Sequence, residues 1–182
     1  MIGELCKLLN NSLKLEMLLR IYAAKDGMNV GILADEMSRR GLVLSGVSQY
    51  LKQFESLGVI RRSRAGRYVN YFPDMKCASA DVKAVVEAVV SRKGNVSGLA
   101  PCFAALMNPF RAKVIAALRQ AGEISGVEIC SKTEHQLRHL KRDLQAAVDA
   151  GLIWADDAEP SLAVYHFREH PDPIVRLMVS LC

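Results

Sequence analysis

The chain has 182 residues and a formal net charge of +5, and it is 51% apolar and 24% charged. This apolar fraction excludes a disordered chain, and the length predicts one or two domains that each bury a core. The longest charge-free run, residues 94–110, is interrupted by prolines, and the leucine-rich N-terminus carries charges, so we expect neither a membrane span nor a signal peptide but a cytoplasmic protein.

The net positive charge of the chain comes entirely from its first half. Residues 1–94 contain 15 Lys and Arg against 9 Asp and Glu, which gives +6, whereas residues 95–182 contain 9 against 10, which gives −1. We therefore expect a first domain over residues 1–94 and a second over residues 95–182. The asymmetry indicates one half that faces nucleic acid and one half with another task.

The first domain is predicted to form three helices followed by a two-stranded hairpin. An amphipathic helix is expected to begin at Ser12 as its N-cap and to end near Gly27. A second helix over residues 30–39 and a turn over residues 40–44 lead to a third helix over residues 45–57, for which Ser45 is the predicted cap. A helix-turn-helix with an appended hairpin is a winged helix, in which the third helix enters the DNA major groove.

The predicted third helix separates an apolar stripe from a polar face. Small and amide-bearing side chains on the polar face suit a helix that enters a groove about 12 Å wide. Gln49 and Gln53 can offer a donor and an acceptor to adenine, and Ser48 can bond a base or a phosphate. Ordinary solvent exposure is the alternative. The candidate DNA contacts on this helix are Ser45, Ser48, Gln49, Lys52 and Gln53.

The predicted hairpin concentrates positive charge. Four arginines lie within residues 61–67, around a turn whose expected tip is Ala65-Gly66. Like charges this close repel each other, so a phosphate is the expected neighbour, and an arginine at the tip can also enter the minor groove. The candidate DNA contacts in this hairpin are Arg61, Arg62, Arg64, Arg67 and Tyr68.

The third helix and the hairpin together resemble a known family. Residues 47–60, which end in Gly58-Val59-Ile60, precede an arginine-x-glycine-arginine-x-x-x-tyrosine pattern that ends at Tyr71. These stretches are similar to the recognition helix and wing of the arsenical-resistance-repressor (ArsR) family of bacterial regulators, and the resemblance covers about residues 9–92. It implies a homodimeric winged-helix transcription factor that binds double-stranded DNA through the recognition helix over residues 45–57 and the wing over residues 61–71.

The same resemblance implies a dimer interface built from the first and last helices of the domain. Here these are residues 2–9 with residues 13–24, and residues 78–92. A valine-rich stripe in the last of these suits packing against a partner, and packing on the second domain is the alternative; its members are Val82, Val85, Val86, Val89 and Val90.

The sequence departs from the metal-sensing members of that family. Ile32-Leu33-Ala34-Asp35 stands where they carry paired thiols, and residues 81–92 contain neither His nor Cys. We therefore expect no metal at the sites that the family uses.

The second domain repeats the order of the first. Asn108-Pro109-Phe110 opens an amphipathic helix as Asn11-Ser12-Leu13 does, and Gly151-Leu152-Ile153 follows a long helix as Gly58-Val59-Ile60 does. The expected fold class is thus mainly α with small β-hairpins (α+β), built from tandem winged helix-turn-helix domains.

The second domain differs from the first in the charge of its hairpin. Its third helix, expected over residues 133–150, is basic through Arg138, His139, Lys141 and Arg142, but the hairpin over residues 154–161 carries −3 and would be repelled by phosphate. We expect dimerisation, partner binding, or the sensing of a small-molecule or protein effector. Contact of the basic helix with a second, unequal half-site is the alternative.

The cysteines and histidines indicate no metal and no cofactor. Five cysteines without a CxxC spacing favour free thiols over disulfides or a zinc knuckle. His135 and His139 are expected to share one helical face, and His166 and His170 to straddle a strand end, but a zinc site needs three or four ligands. Cys102 and Cys130 are weak candidates for redox sensors, because nothing indicates a depressed thiol pKa.

No catalytic residues are predicted. The sequence holds no phosphate loop, GxGxxG, nucleophile elbow or HExxH pattern, so we expect a protein that is not an enzyme. The leading hypothesis is a sequence-specific DNA-binding transcriptional regulator. A winged-helix module for protein interaction or chromosome-associated scaffolding, without sequence-specific DNA recognition, is the alternative.

Overall fold

The computed structural model describes residues 2–24, 26–92, 96–156, 159 and 161–182. Within these residues the protein is a mixed α+β structure, 60% helical, with two small antiparallel sheets of three strands each. The chain divides into two compact units, residues 3–100 and residues 101–182. The predicted boundary at residues 94 and 95 lies outside the described residues. No helix in the described part is long and apolar enough to cross a membrane.

The first unit places a short strand between its second and third helices. Its elements are α1 (Ile2–Leu9), α2 (Ser12–Ala23), β1 (Met28–Asn29), α3 (Val30–Ser38), α4 (Leu44–Ser56), β2 (Ile60–Ala65), β3 (Tyr68–Pro73) and α5 (Ala80–Ser91), followed by a 3₁₀ turn at Ser97–Leu99.

The sheet of the first unit has the strand order β1-β3-β2. β1 pairs with β3 through Met28 opposite Tyr71, and the Asn29 side chain donates a hydrogen bond to Asn70 Oδ1 at 3.0 Å. The expected two-stranded hairpin is therefore part of a three-stranded sheet. A strand of two residues has no alternation of apolar and polar positions, so the sequence pattern missed β1.

Both predicted helix caps in the first unit are wrong by one position or more. Asn11 caps α2, because its Oδ1 accepts from the Leu13 backbone N–H at 2.8 Å, and Ser12 is the first helical residue. α4 begins at Leu44 after Val43, which offers no side-chain cap, so Ser45 lies inside the helix rather than at its cap.

The second unit has the same order of elements. These are α6 (Ala100–Leu106), α7 (Pro109–Ala121), β4 (Glu123–Ser125), α8 (Gly126–Thr133), α9 (Leu137–Asp149), β5 (Ile153–Ala155), β6 (Val164–Phe167) and α10 (Pro173–Ser180). Its sheet has the strand order β4-β6-β5, which corresponds to β1-β3-β2 of the first unit.

The predicted long helix over residues 133–150 is wrong at its start. α8 continues to Thr133 and ends at Glu134, which has a left-handed φ of 56°, and α9 begins only at Leu137. His135 therefore lies in the turn between the two helices and not on a helical face shared with His139. Polar residues on both sides of this turn carry no apolar periodicity that would mark the break.

The valine stripe of α5 is not an exposed surface. Val82, Val85, Val86 and Val89 are fully buried within the single chain, and only Val90 is partly exposed. An apolar stripe that the chain itself covers offers no area to a partner. The stripe therefore gives no support to the expected dimer interface.

Candidate nucleic-acid interface

α4 presents a polar face because its apolar stripe is used in the core. Val47, Leu51 and Phe54 are completely buried. On the opposite side the residues form two rows at the four-residue spacing that aligns side chains along a helix. One row is Leu44, Ser48 and Lys52, and the other is Ser45, Gln49 and Gln53. All of these are exposed except Ser48, which is half-buried.

The arginine-rich hairpin turns at a different place from the one expected. Ala65 pairs with Tyr68 in the β2–β3 ladder, so the turn residues are Gly66 and Arg67 rather than Ala65 and Gly66. Gly66 has a φ of 61° at the first central position, as in a type II′ turn, where glycine is favoured. Arg67 is thereby placed at the tip of the hairpin.

All four hairpin arginines are exposed. The guanidinium group of Arg61 lies over the Phe72 ring at 4.6 Å, and its Nε is 3.9 Å from Asp74 Oδ2. Arg64 donates a hydrogen bond to the Gly66 carbonyl at 3.0 Å. In the described part of the chain, no carboxylate lies within ion-pair distance of Arg62, Arg64 or Arg67.

The tip of the hairpin combines a cation with an aromatic ring. Arg67 donates a hydrogen bond to the Tyr68 hydroxyl at 2.9 Å, and its guanidinium group lies 5.1 Å from the centre of that ring. Tyr68 is 53% exposed. The contact fixes the direction of the arginine while leaving its remaining N–H groups free to donate to an anion.

Helix α4 and the hairpin enclose a groove of about 510 Å³. Residues that line it include Leu44, Ser48, Lys52, Arg62, Arg67 and Tyr68. No Asp or Glu among the described residues lines this groove. A concave surface whose charged side chains, among the described residues, are all cations focuses a positive potential and attracts an anionic ligand.

Two carboxylates of the first unit, Glu16 and Glu36, are already paired with arginines. Arg20 forms ion pairs with Glu16, at 2.7 Å, and with Glu36. These contacts raise the pKa of Arg20, and the hydrogen bond to Glu16 is the largest cause. Arg40 adds a contact to Glu16 at 2.9 Å. This network joins α2 to α3 and neutralises two acidic residues, so they do not compete for the arginines of the hairpin.

A tyrosine of α2, Tyr22, holds the hairpin to the helical part of the unit, and a second tyrosine, Tyr71, lies buried in β3. The Tyr22 hydroxyl donates to the Val59 carbonyl at 2.7 Å, and burial raises the pKa of Tyr22 to about 12. Burial, helped by the charge of Glu55 and opposed by that of Arg62, also raises the pKa of Tyr71. Both rings are therefore neutral near pH 7, and Tyr22 acts as a fixed donor to the Val59 carbonyl.

The corresponding surface of the second unit has different chemistry. Across its sheet Trp154 stacks on His166 at 4.0 Å, and His166 Nδ1 lies 3.4 Å from Glu123 Oε2. Asp156 and Glu159 are exposed, whereas Asp157, Ala158 and Pro160 of the predicted acidic hairpin lie outside the described residues.

The basic helix α9 is partly neutralised by its own chain. Arg142 donates to Asp143 at 2.9 Å, and Asp143 also contacts His135 at 2.9 Å. The ring of His135 stacks on Phe110 at 4.0 Å, so this histidine has a packing role. Among the residues that the structure describes, no group of three or more His, Cys, Asp and Glu could hold a metal ion.

The thiol of Cys102 is expected to be unreactive. Burial, together with the charge of Asp172, raises the pKa of Cys102 to about 11 from an ordinary value of 9.0. At pH 8 the thiolate population is then about a hundredfold below that of an ordinary thiol, and the thiolate is the nucleophile.

We expect iodoacetamide at pH 8 to modify the exposed Cys77 to completion while Cys102 stays free, as measured by peptide mass spectrometry. Equal rates at the two sites would contradict this.

The sequence pattern missed the apolar part of this surface. Leu44 was expected in the turn before the third helix, but it is the first residue of α4, is 57% exposed and lines the groove. Its spacing of four from Ser48 could have revealed that it shares a row with the polar residues.

Comparison of the chain with protein-family models, with curated proteins and with solved structures found no match. The candidate interface therefore depends on its own residues, distances and charges.

Proposed function

We propose that the protein is a sequence-specific transcriptional regulator that binds double-stranded DNA through its first unit. The observation that carries this proposal is the groove between α4 and the hairpin, which is lined by Lys52, Arg62 and Arg67 and by no described acidic residue. Exposed arginines without a carboxylate partner repel each other, and a polyanion relieves that repulsion.

The order of elements supports a winged-helix assignment for each unit. In both units a helix, a short strand, two further helices and a hairpin follow one another, and the short strand pairs with the second strand of the hairpin. On this assignment α4 is the recognition helix and β2–β3 is the wing, as the resemblance to the ArsR family also implies.

The exposed groups of the first unit have distinct roles in this proposal. Gln49 and Gln53 on α4 contact base edges in the major groove, where an amide can bond adenine at two atoms. Lys52 and the arginines of the hairpin contact phosphates, and Arg67 at the tip reaches toward the minor groove.

The second unit serves another purpose in this proposal. The exposed Asp156 and Glu159 in its hairpin region oppose contact with phosphate, so we assign this unit to dimerisation, partner binding or effector sensing. The homodimer itself rests on the family resemblance, because the valine stripe of α5 is buried.

Affinity selection from fragmented genomic DNA with the purified full chain tests this proposal. We expect the retained fragments to share a motif, and gel shifts on that motif to weaken steeply as salt rises, since each neutralised phosphate releases counterions. The number of motif copies per site also reports whether one or two half-sites are bound. A chain that retains no DNA at low salt would contradict the proposal and favour a protein-interaction module.

Replacement of Gln49 by alanine is expected to relax sequence preference. Loss of a two-point contact with adenine removes about 1–3 kcal/mol of discrimination at one base position and leaves phosphate contacts intact. Competition gel shifts with single-base variants of the selected motif would show the change. Gln120→Ala, which alters an exposed glutamine of α7 in the second unit, serves as the control and should leave all base preferences as they are.

A further inference from the structure

The first unit exposes large apolar side chains next to its positively charged groove. Within the described residues of this unit they are Ile32, Val43, Leu44 and Tyr68, each more than half exposed. Leu44 and Tyr68 line the groove themselves, and Val43 directly precedes Leu44. Exposed apolar side chains that are grouped on one surface mark an interaction site, and the charge of this groove alone does not account for them.

Leu44 occupies the leading end of the proposed recognition helix. It is the first residue of α4, and it shares one row with Ser48 and Lys52. In helix-turn-helix proteins the N-terminal residues of the recognition helix are those that contact base edges. Leu44 is therefore the side chain of this row that a base edge would meet first.

The isobutyl group of leucine discriminates among base edges because it is entirely apolar. It offers no hydrogen bond, so contact with the donors and acceptors of guanine, cytosine or adenine would leave those groups unsatisfied. The thymine C5-methyl group is the apolar feature of the major groove, and burying it against Leu44 removes both surfaces from water.

We propose that Leu44 recognises thymine, so that the first unit selects DNA sites in which a thymine C5-methyl group faces the start of α4. The proposal rests on the proposed function. Nucleic acid is the occupant that the surroundings favour, because Lys52, Arg62 and Arg67 line the same groove and complement a polyanion.

Deoxyuridine substitution tests the contact at the level of a single methyl group. In a site recovered by affinity selection, each thymine is replaced in turn by deoxyuridine, which keeps base pairing and removes only the methyl. We expect the affinity of the unaltered protein to fall about fourfold at one or two positions, as for the loss of one buried methyl group. Fluorescence anisotropy with labelled duplexes measures the change.

The Leu44→Ala variant assigns that methyl contact to its residue. It should bind the thymine duplex more weakly by a similar factor, and deoxyuridine at the sensitive position should then cause no further loss. Leu162→Ala is the matched control, because Leu162 is a 68% exposed leucine of the second unit, and it should retain the sensitivity. Circular dichroism confirms that both variants fold.

Three results would overturn the proposal, and they are distinguishable. Tight binding of the unaltered protein with tolerance of deoxyuridine at every position would refute the thymine contact and leave the proposed function standing. Sensitivity that persists in Leu44→Ala would assign the methyl to another residue. Failure of the unaltered protein to bind any DNA would refute the proposed function as well.

Discussion

DNA affinity is expected to fall on every sequence when Arg64 and Arg67 are both replaced by alanine. Neither guanidinium group has a carboxylate partner among the described residues, and both lie on the exposed hairpin. On this exposed hairpin two lost contacts to phosphate, at about 0.5–1.5 kcal/mol each, correspond to a loss of affinity between about fivefold and about 150-fold. The slope of log affinity against log salt should become shallower by about 1.8, since each phosphate contact contributes about 0.9.

The same change should not weaken the fold. Within the described part of the chain Arg64 donates its hydrogen bond to the nearby Gly66 carbonyl, and Arg67 donates its own to the adjacent Tyr68, so little structure depends on either side chain. Removal of two like charges also relieves repulsion within the hairpin. Thermal unfolding followed by circular dichroism should therefore give a midpoint close to that of the unaltered protein, which separates lost binding from lost folding.

A variant with the same change of charge controls for the loss of net positive charge. Lys113 and Arg119 are exposed on α7 of the second unit, and their joint replacement by alanine also removes two positive charges. We expect that variant to retain nearly the full salt slope of the unaltered protein. If both double variants lost affinity and slope equally, general charge rather than the hairpin would govern binding, and the assigned surface would be wrong.

The sequence alone was sufficient to predict the parts of the site that are formed by residues close to one another in the chain. The arginines of β2 and the turn after it lie within a few residues of one another, and the stripe of Val47, Leu51 and Phe54 identifies the inward side of α4. Repetition of charge and of apolar spacing is a local property, so a single sequence is sufficient to find it.

Parts of the site that depend on distant pairing could not be predicted in this way. β1 contains only Met28 and Asn29, and it exists because it pairs with β3 some forty residues later. The groove includes that pairing, since Asn29 of β1 lines it together with residues of α4 and of the hairpin. The break at Glu134 was missed for a different reason. Its left-handed φ belongs to a residue other than glycine, so the sequence carries no glycine there to mark the end of the helix.

Two corresponding glycines allow the cost of a left-handed backbone to be distinguished from the cost of close packing. Gly58 follows α4 and Gly151 follows α9, and their φ angles are 70° and 69°. A Cβ at Gly58 would lie 2.9 Å from the Ala78 nitrogen and 2.9 Å from the Cys77 carbonyl carbon, whereas a Cβ at Gly151 would meet nothing within 4 Å. The two positions therefore share the conformational requirement but differ in the space that surrounds them.

Gly58→Ala is expected to destabilise the protein much more than Gly151→Ala. At both sites alanine takes a left-handed conformation, which costs about 1–2 kcal/mol. At Gly58 the backbone of residues 77 and 78 must also move, and forced overpacking adds about 1–3 kcal/mol. Urea unfolding followed by circular dichroism gives both free energies of unfolding, and an equal loss would show that the contact at Gly58 relaxes without cost.

The position of Gly58 connects this loss of stability to the proposed DNA contacts. Gly58 joins α4 to β2, and its neighbour Val59 accepts the hydrogen bond from Tyr22 that holds the hairpin to α2. A shift of the connection between α4 and β2 changes the distance between the exposed face of α4 and Arg67. The folded fraction of Gly58→Ala should therefore bind DNA more weakly than its concentration predicts. Gly151→Ala leaves the first unit unaltered, and its folded fraction should bind with full affinity.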